Sequence, residues 1–414
     1  MSMSIPSPRP KGAIILGGSH GAIALARSLA GQGLDVWFVT NFTPLPRFSN
    51  AVHHWAEWPG AENPGAIEAL EALVHKHSLE NYLLIPAADE DVKFAAQQRE
   101  RLSSLLVVTL PDWAQLQWAC NKALTYQRAA ELGIAVPRIY VVGDDLAATA
   151  ASIEFPVVLK PTMRIAVNRF TQAKAWRADN AAEFIDLFTQ AAQLQQGKDH
   201  IVVQEYIPGG GETQFSYAGL WWNGTPRASF AAQRTRQFPV EFSYTSTFVE
   251  TVEQADVIAK GEAFLASIGH HGLCEIEFKR DPRTGELKLL DVNPRPWSWF
   301  GLAQAAGMDF GALLIALSAG ETVDPPVARP GVGWMFMLRD GIVSLQLLAQ
   351  GKLRLGDYLR SIGRTRTLAT FAWRDPKPGL IELPLTAWRL LQRRIKPAGA
   401  LTPAASTAAS TISE

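Results

Sequence analysis

The sequence predicts a multidomain protein of mixed α/β and α+β class, with a parallel α/β domain at the start of the chain. Three observations lead to this prediction. Within the first hundred residues, short apolar runs alternate with amphipathic helical patterns, as in the repeated β-α-β units of a parallel, doubly wound sheet. From about residue 111, strand patterns and a hairpin follow, which is typical of an α+β domain. The 414 residues also exceed the usual size of one domain.

Composition and charge restrict the class of protein. Hydrophobic residues make up 47% and charged residues 19%, which suffices for sizeable cores and excludes a mainly disordered chain. Lys+Arg and Asp+Glu both number 39, so we expect no nucleic-acid partner and no membrane partner, although a local basic cleft stays compatible with this balance. Two cysteines exclude a disulfide framework and a Cys-rich zinc site. No signal-peptide pattern and no long apolar run is present, so we expect a cytoplasmic protein.

The first predicted domain spans residues 1–112. The run GAIILGG predicts a strand that ends in glycines, and the spacing of SHGAIALARSLAGQG predicts a helix that Gly31 or Gly33 closes. The remaining elements follow in alternation. Strands are predicted in LDVWFVTN, NYLLIPAADE and LLVVTLP, and helices in AIEALEALVHKHS and DVKFAAQQRERLSS.

A glycine-rich turn, Gly17-Gly18-Ser19-His20-Gly21, follows the first predicted strand. It resembles a dinucleotide-binding fingerprint, but its adjacent glycines depart from the G-x-G-x-x-G spacing. The same glycines suit a tight turn where a helix packs close to a strand. We favour the tight turn, and a nicotinamide-dependent oxidoreductase stays open as an alternative.

The second predicted domain spans residues 113–324, with a lid subdomain over about residues 125–205. Helices are predicted in NKALTYQRAAELGI, AAEFIDLFTQAAQLQQ and DVIAKGEAFLASIG, and strands in VPRIYVV, FPVVLKP, HIVVQEYIPGGGE, TQFSYAGLWWNG and RASFAAQR. The run GLCEIEFKRDPRTGELKLLDVNPR predicts a hairpin. A Pro-rich joint precedes a C-terminal extension over 325–395, in which we interpret WRDPKP as a packed surface turn rather than a pocket wall. The small polar residues of 396–414 predict a disordered tail.

The predicted hairpin carries a cluster of oxygen ligands. Glu275 and Glu277 share one face of the first strand, and Asp291 and Asn293 share a face of the return strand. A short turn would bring Glu277 beside Asp291 and Asn293, and such hard oxygen ligands suit Mg²⁺ with phosphate oxygens and water. Arg295 follows, where its guanidinium could hold phosphate or developing negative charge. A surface hairpin with polar side chains is the alternative.

Two lysines, and a predicted strand that ends in glutamates, are further candidate binding residues. Lys160 ends the apolar strand FPVVLKP, and a buried lysine needs a partner such as a phosphate. Lys122 begins a helix and could supply a second ammonium. In VVQEYIPGGGE, Glu205 and the adjacent backbone could receive an adenine amino group, and Glu212 could accept hydrogen bonds from ribose hydroxyls. Surface lysines and a strand-loop punctuated by glycine are the alternatives.

The order of these motifs resembles that of the ATP-grasp superfamily, over residues from about 10 to 320. The ending KLLDVNPRPW is similar to the metal-binding strand of that superfamily. The ordered set consists of Lys122, Lys160, Gln204-Glu205-Tyr206-Ile207, Glu212, Glu277 and Asp291-Val292-Asn293-Pro294-Arg295. The resemblance implies a parallel α/β pre-ATP-grasp domain followed by an ATP-grasp fold, with ATP and Mg²⁺, or Mn²⁺ as an alternative, as cofactors.

The resemblance also implies a role for each residue of the set. Lys122 and Lys160 would hold nucleotide phosphates, and Arg295 would steady an acylphosphate or tetrahedral intermediate. Arg295 and Lys160 are the implied catalytic residues. Gly18 and Ser19 would face substrate rather than NAD. The implied adenine contacts are Gln204, Glu205, Tyr206 and Ile207, the implied ribose contact is Glu212, and the implied metal ligands are Glu277, Asp291 and Asn293.

Within the superfamily, the hairpin is similar to carboxylate–amine ligases of the D-aspartate ligase type, which often carry a basic substrate loop near FAAQRTRQFP. Arg234 and Arg236 could share a strand face there and hold a carboxylate substrate, or could be exposed arginines of an edge strand. The loop after Lys160 departs from the superfamily because it lacks glycines. Arg164, Asn168, Arg169 and Lys174 could replace backbone donors to phosphate in that loop.

The resemblance implies an enzyme that forms an amide bond between a small carboxylate and an amine through an acylphosphate, with release of ADP and phosphate. Members of the superfamily are often dimers, so a homodimer is an expectation. Two alternatives keep the fold. One is an ATP-grasp enzyme that uses bicarbonate or formate, and the other is a nucleotide-binding protein without catalytic activity.

Overall fold

The alternating pattern of the first segment folds into a five-stranded parallel sheet. The computed structural model describes residues 9–41, 44–161, 168–173, 175–240 and 245–395. The strands of the first sheet are β1 (Gly12–Leu16), β2 (Asp35–Thr40), β3 (His54–Glu57), β4 (Leu83–Pro86) and β5 (Val107–Val108), in the order β3-β2-β1-β4-β5. The helices of this region are α1 (His20–Gly31), α2 (Ala66–His77), α3 (Asp89–Gln97), α4 (Arg99–Ser103) and α5 (Trp113–Cys120). The parallel sheet confirms the predicted α/β class of this region.

The strand order reverses direction between β1 and β4, so the carboxyl ends of these two strands open a crevice at one edge of the sheet. The glycine-rich turn follows β1 at this edge. The acids predicted as the end of a strand instead open α3, since β4 ends at Pro86 and Asp89, Glu90 and Asp91 form the first helical turn. Acidic side chains in this position are stabilised by the helix dipole.

A small antiparallel sheet lies in the segment predicted as a lid subdomain, and this segment is called the lid below. Its strands are β6 (Ile139–Tyr140), β7 (Val157–Pro161), β8 (Trp176–Ala178) and β9 (Ile201–Glu205), in the order β6-β9-β7-β8, and its helices are α7 (Leu146–Ser152), α8 (Arg169–Ala173) and α9 (Ala181–Leu194), preceded by α6 (Lys122–Glu131). Phe184 and Phe188 of α9 pack against Leu159 and Val203 in a hydrophobic core that belongs to this subdomain. A separate core makes the lid a packing unit of its own.

A seven-stranded sheet is the centre of the second domain. Its strands are β10 (Gln214–Trp222), β11 (Thr225–Phe238), β12 (Thr245–Val252), β13 (Gly272–Arg280), β14 (Leu287–Asn293), β15 (Gly333–Met335) and β16 (Thr365–Leu368), in the order β14-β13-β10-β11-β12-β15-β16. The helices around it are α10 (Ala255–Ser267), α11 (Gly301–Ala305), α12 (Phe310–Ser318), α13 (Met337–Ala349), α14 (Leu355–Arg364) and α15 (Lys377–Ile395). The predicted β13–β14 hairpin is present, and the sheet makes this part of the chain α+β, as predicted.

The C-terminal extension is joined to this sheet rather than set apart from it. β15 pairs with β12, and β16 pairs with β15, so two strands from beyond residue 325 complete the sheet. The sequence predicted neither of them, because each spans only three or four residues and leaves too few positions for a periodic pattern. β12 was also missed, although its run TSTFVETV is rich in the β-branched residues that favour strands.

The extension also packs against the first domain through the predicted WRDPKP turn. Asp375 is buried, and its carboxylate accepts hydrogen bonds from Arg27 Nε (2.8 Å), Ser49 Oγ (2.6 Å) and the Asn50 backbone N–H (2.8 Å). The turn is therefore a packed structural element that ties the end of the chain to its beginning.

A buried ion pair attaches α13 and α14 to the sheet. Arg236 of β11 is 4% exposed, and its Nε and Nη2 donate to the two carboxylate oxygens of Asp340 in α13 at 2.8 and 2.9 Å. Nη2 also donates to Ser361 Oγ of α14 at 3.0 Å, and Phe248 lies 4.3 Å from the guanidinium. Since Asp340 has no exposure to water, removal of either charge would leave the other buried without a partner.

We expect Asp340→Ala to lower the free energy of unfolding by about 3 to 5 kcal/mol, because it leaves the buried guanidinium unpaired. The double variant Arg236→Met/Asp340→Leu should recover most of this loss. Urea denaturation followed by tryptophan fluorescence measures both. Asp357→Ala, in an exposed pair with Arg360, is the matched control and should change stability by less than about 1 kcal/mol. A loss in the double variant as large as in Asp340→Ala would contradict this interpretation.

A second buried group makes stability depend on pH. His270 has no exposed surface, and within the described part of the chain neither ring nitrogen has a hydrogen-bond partner. Burial, together with the neighbouring His271, lowers the pKa of His270 to about 3. The unfolded chain therefore takes up a proton on this residue below about pH 6.5, while the folded chain does not. Stability is lost as the pH falls through that value.

Replacing His270 by leucine should remove this loss of stability. Between pH 7 and pH 5, we expect the free energy of unfolding of wild type to fall by about 2 kcal/mol more than that of His270→Leu, because His270 is lost in the variant while His271, whose pKa is also lowered, is present in both proteins. Urea denaturation at a series of pH values provides the comparison. Identical pH dependence of the two proteins would show that His270 titrates normally in the folded state.

Candidate functional site

The β13–β14 pairing brings the predicted oxygen ligands together. The register places Glu275 opposite Asn293 and Glu277 opposite Asp291, and a bulge follows Glu277. Asn293 Nδ2 donates to Glu275 Oε2 at 3.2 Å and to Glu277 Oε1 at 3.4 Å. Side chains at i and i+2 of both strands therefore converge on one face of the hairpin, as the sequence predicted.

Two lysines from outside the hairpin add positive charge near this cluster of oxygen ligands. Lys122, the first residue of α6, lies with Nζ 3.7 Å from Asp291 Oδ2. Burial by the surrounding protein and the charge of Glu277 raise the pKa of the Asp291 carboxyl, whereas Lys122 and Lys160 lower it. About half of the Asp291 side chain is nevertheless open to water. Lys160, on β7 of the lid, is thus close enough to act on Asp291 electrostatically. The structure therefore places Lys122 beside this carboxylate and Lys160 within electrostatic range of it.

Arg295 links the hairpin to the first domain. Its Nη2 donates to Asn293 Oδ1 at 3.3 Å, and its Nε donates to Asp89 Oδ1 at 2.5 Å. Asp89 begins α3, at the carboxyl end of β4, so this contact crosses from the hairpin to the crevice of the parallel sheet. The sequence assigned no role to Asp89. The acids after NYLLIPA were the available signal, but only the fold shows which of them faces Arg295.

Glu275 is a second residue whose role the sequence did not reveal. It is 3% exposed, accepts from Ser216 Oγ at 2.8 Å, and holds the Asn293 amide. Burial, together with the charge of Glu277, raises the pKa of Glu275 to about 7. The sequence placed Glu275 on the same strand face as Glu277. Spacing alone could not show that Glu275 is buried and holds the Asn293 side chain.

The predicted adenine-binding segment lies at the end of β9. Gln204 is 5% exposed, and Glu205 contacts the Nζ of Lys288 on β14 in an ion pair. Because the Glu205 carboxylate is occupied by this lysine, an adenine ring would meet the backbone of the segment rather than that carboxylate. Ile207 is buried, and the Tyr206 ring lies 4.3 Å below the guanidinium of Arg177.

The glycine loop that follows holds Glu212. Its Oε1 accepts from the Gly210 backbone N–H at 2.7 Å, and its backbone carbonyl accepts from Gln233 Nε2 at 2.7 Å. Lys279 of β13 donates to the Gly209 carbonyl at 2.8 Å. These contacts fold the loop back onto the large sheet, so Glu212 lies on the same side as the hairpin residues.

The glycine-rich turn has the geometry of a tight strand-to-helix connection. Gly18 has a φ of +83°, and a Cβ on it would lie 2.7 Å from the Ala87 methyl carbon. A Cβ on Gly21 would lie 2.5 Å from the Trp297 carbonyl oxygen, so α1 packs against the backbone just beyond Arg295. Ser19 stands immediately before α1. Gly18 and Ser19 therefore lie at the crevice edge, near the hairpin site, and their contact with substrate stays a prediction.

The two arginines predicted for the substrate have different surroundings. Arg234 contacts the Glu277 carboxylate in an ion pair and donates to Ser246 Oγ at 2.7 Å, so it lies at the hairpin site. Arg236, in contrast, is enclosed by Asp340 and Ser361 in the ion pair described above. The expectation that both arginines hold a carboxylate substrate is corrected for Arg236, whose guanidinium is used inside the fold. The register of β11 shifts on both sides of Arg236, which spacing alone could not reveal.

The glycine-poor loop after Lys160 is described only in part. Arg164 and Lys174 lie outside the described residues. Asn168 Oδ1 accepts from the backbone N–H groups of Phe170 and Thr171 at 3.0 Å, so this side chain caps α8. Arg169 contacts Gln190. Both described side chains thus have structural partners in the lid.

The donor set fits a hard divalent cation that is shared with phosphate. Glu277 and Asp291 supply carboxylate oxygens and Asn293 an amide oxygen, which are the ligand types of Mg²⁺. Within the described residues, no group of three or more His, Cys, Asp or Glu side chains is arranged to hold a metal by itself. Two acids and one amide leave coordination positions for phosphate and water, as Mg²⁺ sites in phosphoryl-transfer enzymes do.

Comparisons with known proteins show what the whole chain is similar to. No family model matches the chain. The chain is 24% identical to a D-aspartate ligase of Enterococcus faecium over 298 residues, which cover 68% of this chain and 70% of the ligase. In its fold it is similar to an L-amino acid ligase of Bacillus licheniformis, with a TM-score of 0.58, 17% identity, and coverage of 79% of each chain.

A third likeness is to the biotin carboxylase domain of Hydrogenobacter thermophilus 2-oxoglutarate carboxylase, solved with MgADP and bicarbonate. The TM-score is 0.59 at 14% identity, with 79% of this chain and 74% of that chain covered. These likenesses in structure show that the chain has the ATP-grasp fold that the sequence predicted.

We expect Glu277→Gln to weaken the binding of Mg²⁺-ATP by about tenfold or more, because one carboxylate of the proposed cation site is lost. Isothermal titration calorimetry with ATP, in the presence and absence of Mg²⁺, measures the effect. Glu286→Gln is the matched control, since this exposed acid lies in the turn of the same hairpin. Equal Mg²⁺-ATP affinity in Glu277→Gln and wild type would remove Glu277 from the site.

Proposed function

We propose that this protein is an ATP-dependent carboxylate–amine ligase, which joins a small carboxylate and an amine in an amide bond and releases ADP and phosphate. The convergence of Glu277, Asp291 and Asn293 with Lys122 and Lys160 carries this proposal. Oxygen ligands for a divalent cation together with lysines are the groups that bind and polarise the phosphates of a nucleoside triphosphate. We choose amide formation as the reaction because the chain resembles a D-aspartate ligase in sequence and an L-amino acid ligase in fold.

ATP would lie between the lid and the large sheet. The segment from Gln204 to Ile207 would hold adenine through its backbone, since the Glu205 carboxylate is paired with Lys288. Glu212, on the glycine loop, would hold the ribose hydroxyls. Lys122 and Lys160 would hold the phosphates, because Lys122 lies beside Asp291 and Lys160 acts electrostatically on the same carboxylate.

Glu277, Asp291 and Asn293 would hold Mg²⁺, and Mn²⁺ with its similar oxygen preference could replace it. The bound cation supplies charge neutralisation on the transferring phosphoryl group. Glu275 would position Asn293 by holding its amide N–H, which leaves the amide oxygen toward Arg295. Arg234 offsets the charge of Glu277.

The reaction would proceed in two steps. A carboxylate oxygen of the substrate attacks the γ-phosphorus of ATP, and the bond to the β-phosphate oxygen breaks, which yields an acylphosphate and ADP. The amine then attacks the acyl carbon, an amine proton is lost, and the bond to phosphate breaks. Arg295 would stabilise the negative charge that develops on the acylphosphate and on the tetrahedral intermediate, since its guanidinium stands at the junction of the hairpin and the crevice.

Both substrates would be small molecules that enter from the crevice of the parallel sheet, where the glycine-rich turn and Asp89 lie. A homodimer would be consistent with the superfamily. Among the described residues, no helix is both long and apolar enough to cross a membrane.

Release of ADP in the presence of Mg²⁺-ATP and pooled carboxylic acids and amino acids tests the proposal. We expect release that requires one carboxylate pool and one amine pool, with an amide product detected by mass spectrometry. Glu277→Ala should reduce it on the order of 100-fold, and Glu286→Ala should not. Release that needs bicarbonate alone and forms no amide would replace the ligase with a carboxylating enzyme, and release that is unaffected by Glu277→Ala would place the site elsewhere.

A further inference from the structure

The helices of the C-terminal extension expose apolar residues and bury polar ones, which is the reverse of an ordinary surface helix. In α14, Ser361 is 6% exposed and faces Arg236, whereas Leu355, Leu359 and Ile362 are 59%, 58% and 45% exposed. These three residues follow i, i+4, i+7 spacing and form one stripe of the helix. The stripe points away from the sheet to which the helix is attached.

The neighbouring helix has the same reversed arrangement. In α13, Val343 is buried together with Asp340 and Ser344, and these two polar side chains contact each other and the Arg236 network. On the outside, Ile342 and Leu345 are 54% and 70% exposed. Both helices therefore attach to the sheet through a polar cluster around Arg236 and present leucine and isoleucine side chains to the exterior. Exposed apolar stripes on two consecutive helices indicate a surface that is covered in use.

The charges around this surface indicate what covers it. Residues 352–366 carry five basic side chains, all exposed, and only one acid, Asp357. One basic residue pairs with that acid and another, Arg364, with Glu250, and the basic residues remain in excess. In a chain whose formal charge is zero, this is a local positive cluster beside an apolar stripe. The five basic residues are Lys352, Arg354, Arg360, Arg364 and Arg366.

We propose that the outer faces of α13 and α14 bind the surface of an anionic lipid bilayer. The leucine stripe would enter the boundary between headgroups and acyl chains, and the flanking arginines would meet the lipid phosphates. A second copy of the chain fits less well, because a twofold contact would set the two basic clusters against each other. This inference departs from the expectation of no membrane partner. That expectation was drawn from the zero net charge of the whole chain, which does not show that basic residues cluster at one place. It does not depend on the proposed ligase reaction.

Vesicle flotation with the full chain tests this surface. Vesicles contain phosphatidylcholine alone, or equal parts of phosphatidylcholine and phosphatidylglycerol. We expect binding to the mixed vesicles that weakens as salt is added, and weak or no binding to phosphatidylcholine alone. Leu359→Glu should reduce the binding by about tenfold or more, because one apolar contact becomes a charge. The pair Arg354→Ala/Arg360→Ala should reduce binding to the mixed vesicles and weaken its salt dependence, because two of the five basic residues are lost.

Val327→Glu is the matched control, because Val327 is an equally hydrophobic exposed residue, 87% exposed, outside both helices. It should bind vesicles as wild type does. Circular dichroism and the melting temperature verify that each variant is folded. Absence of binding to mixed vesicles, or equal binding by folded Leu359→Glu, would overturn the proposal. If wild type does not bind vesicles but is a dimer by light scattering, and Leu359→Glu is a monomer, the surface would be assigned to a second copy of the chain instead.

Discussion

The pairing of β13 with β14 is the constraint on which the site depends. It sets Glu277 directly opposite Asp291, and two like charges in that position repel each other. The surrounding structure supplies the compensation, since Arg234 pairs with Glu277 and Lys122 lies beside Asp291. Each of these cations comes from a different element, so the charge balance of one hairpin requires the sheet and α6 to be correctly assembled.

The same hairpin also joins the two domains. Arg295, two residues past β14, reaches Asp89 at the crevice of the parallel sheet. A few residues further on, the Trp297 carbonyl approaches Gly21 so closely that a side chain there would collide with it. The crevice and the hairpin are thus held as neighbours by one short segment of chain. A substrate bound in the crevice would lie within reach of a nucleotide bound over the hairpin.

Much of this architecture could be predicted from the sequence, and the failures have physical causes. The parallel domain and the hairpin follow from period-2 and period-3.6 patterns, which are local properties of the chain. The convergence of Glu277, Asp291 and Asn293 could be predicted because strand spacing fixes which side chains share a face, while their role as metal ligands stays a prediction. Arg236 was assigned wrongly because its partner, Asp340, is 104 residues away and the strand register shifts around it. Asp89 and Glu275 were missed because burial and contacts between domains are not encoded in spacing.

The contact of Asp375 with Arg27, Ser49 and Asn50 has a consequence for the order in which the protein is made. Synthesis proceeds from the amino terminus, so the first domain lacks this partner until Asp375, more than 300 residues later, has left the ribosome. Until then, Arg27 and the backbone of Asn50 must be satisfied by water. The parallel domain can collapse early, but this part of its native surface closes only after the sheet of the second domain has been synthesised.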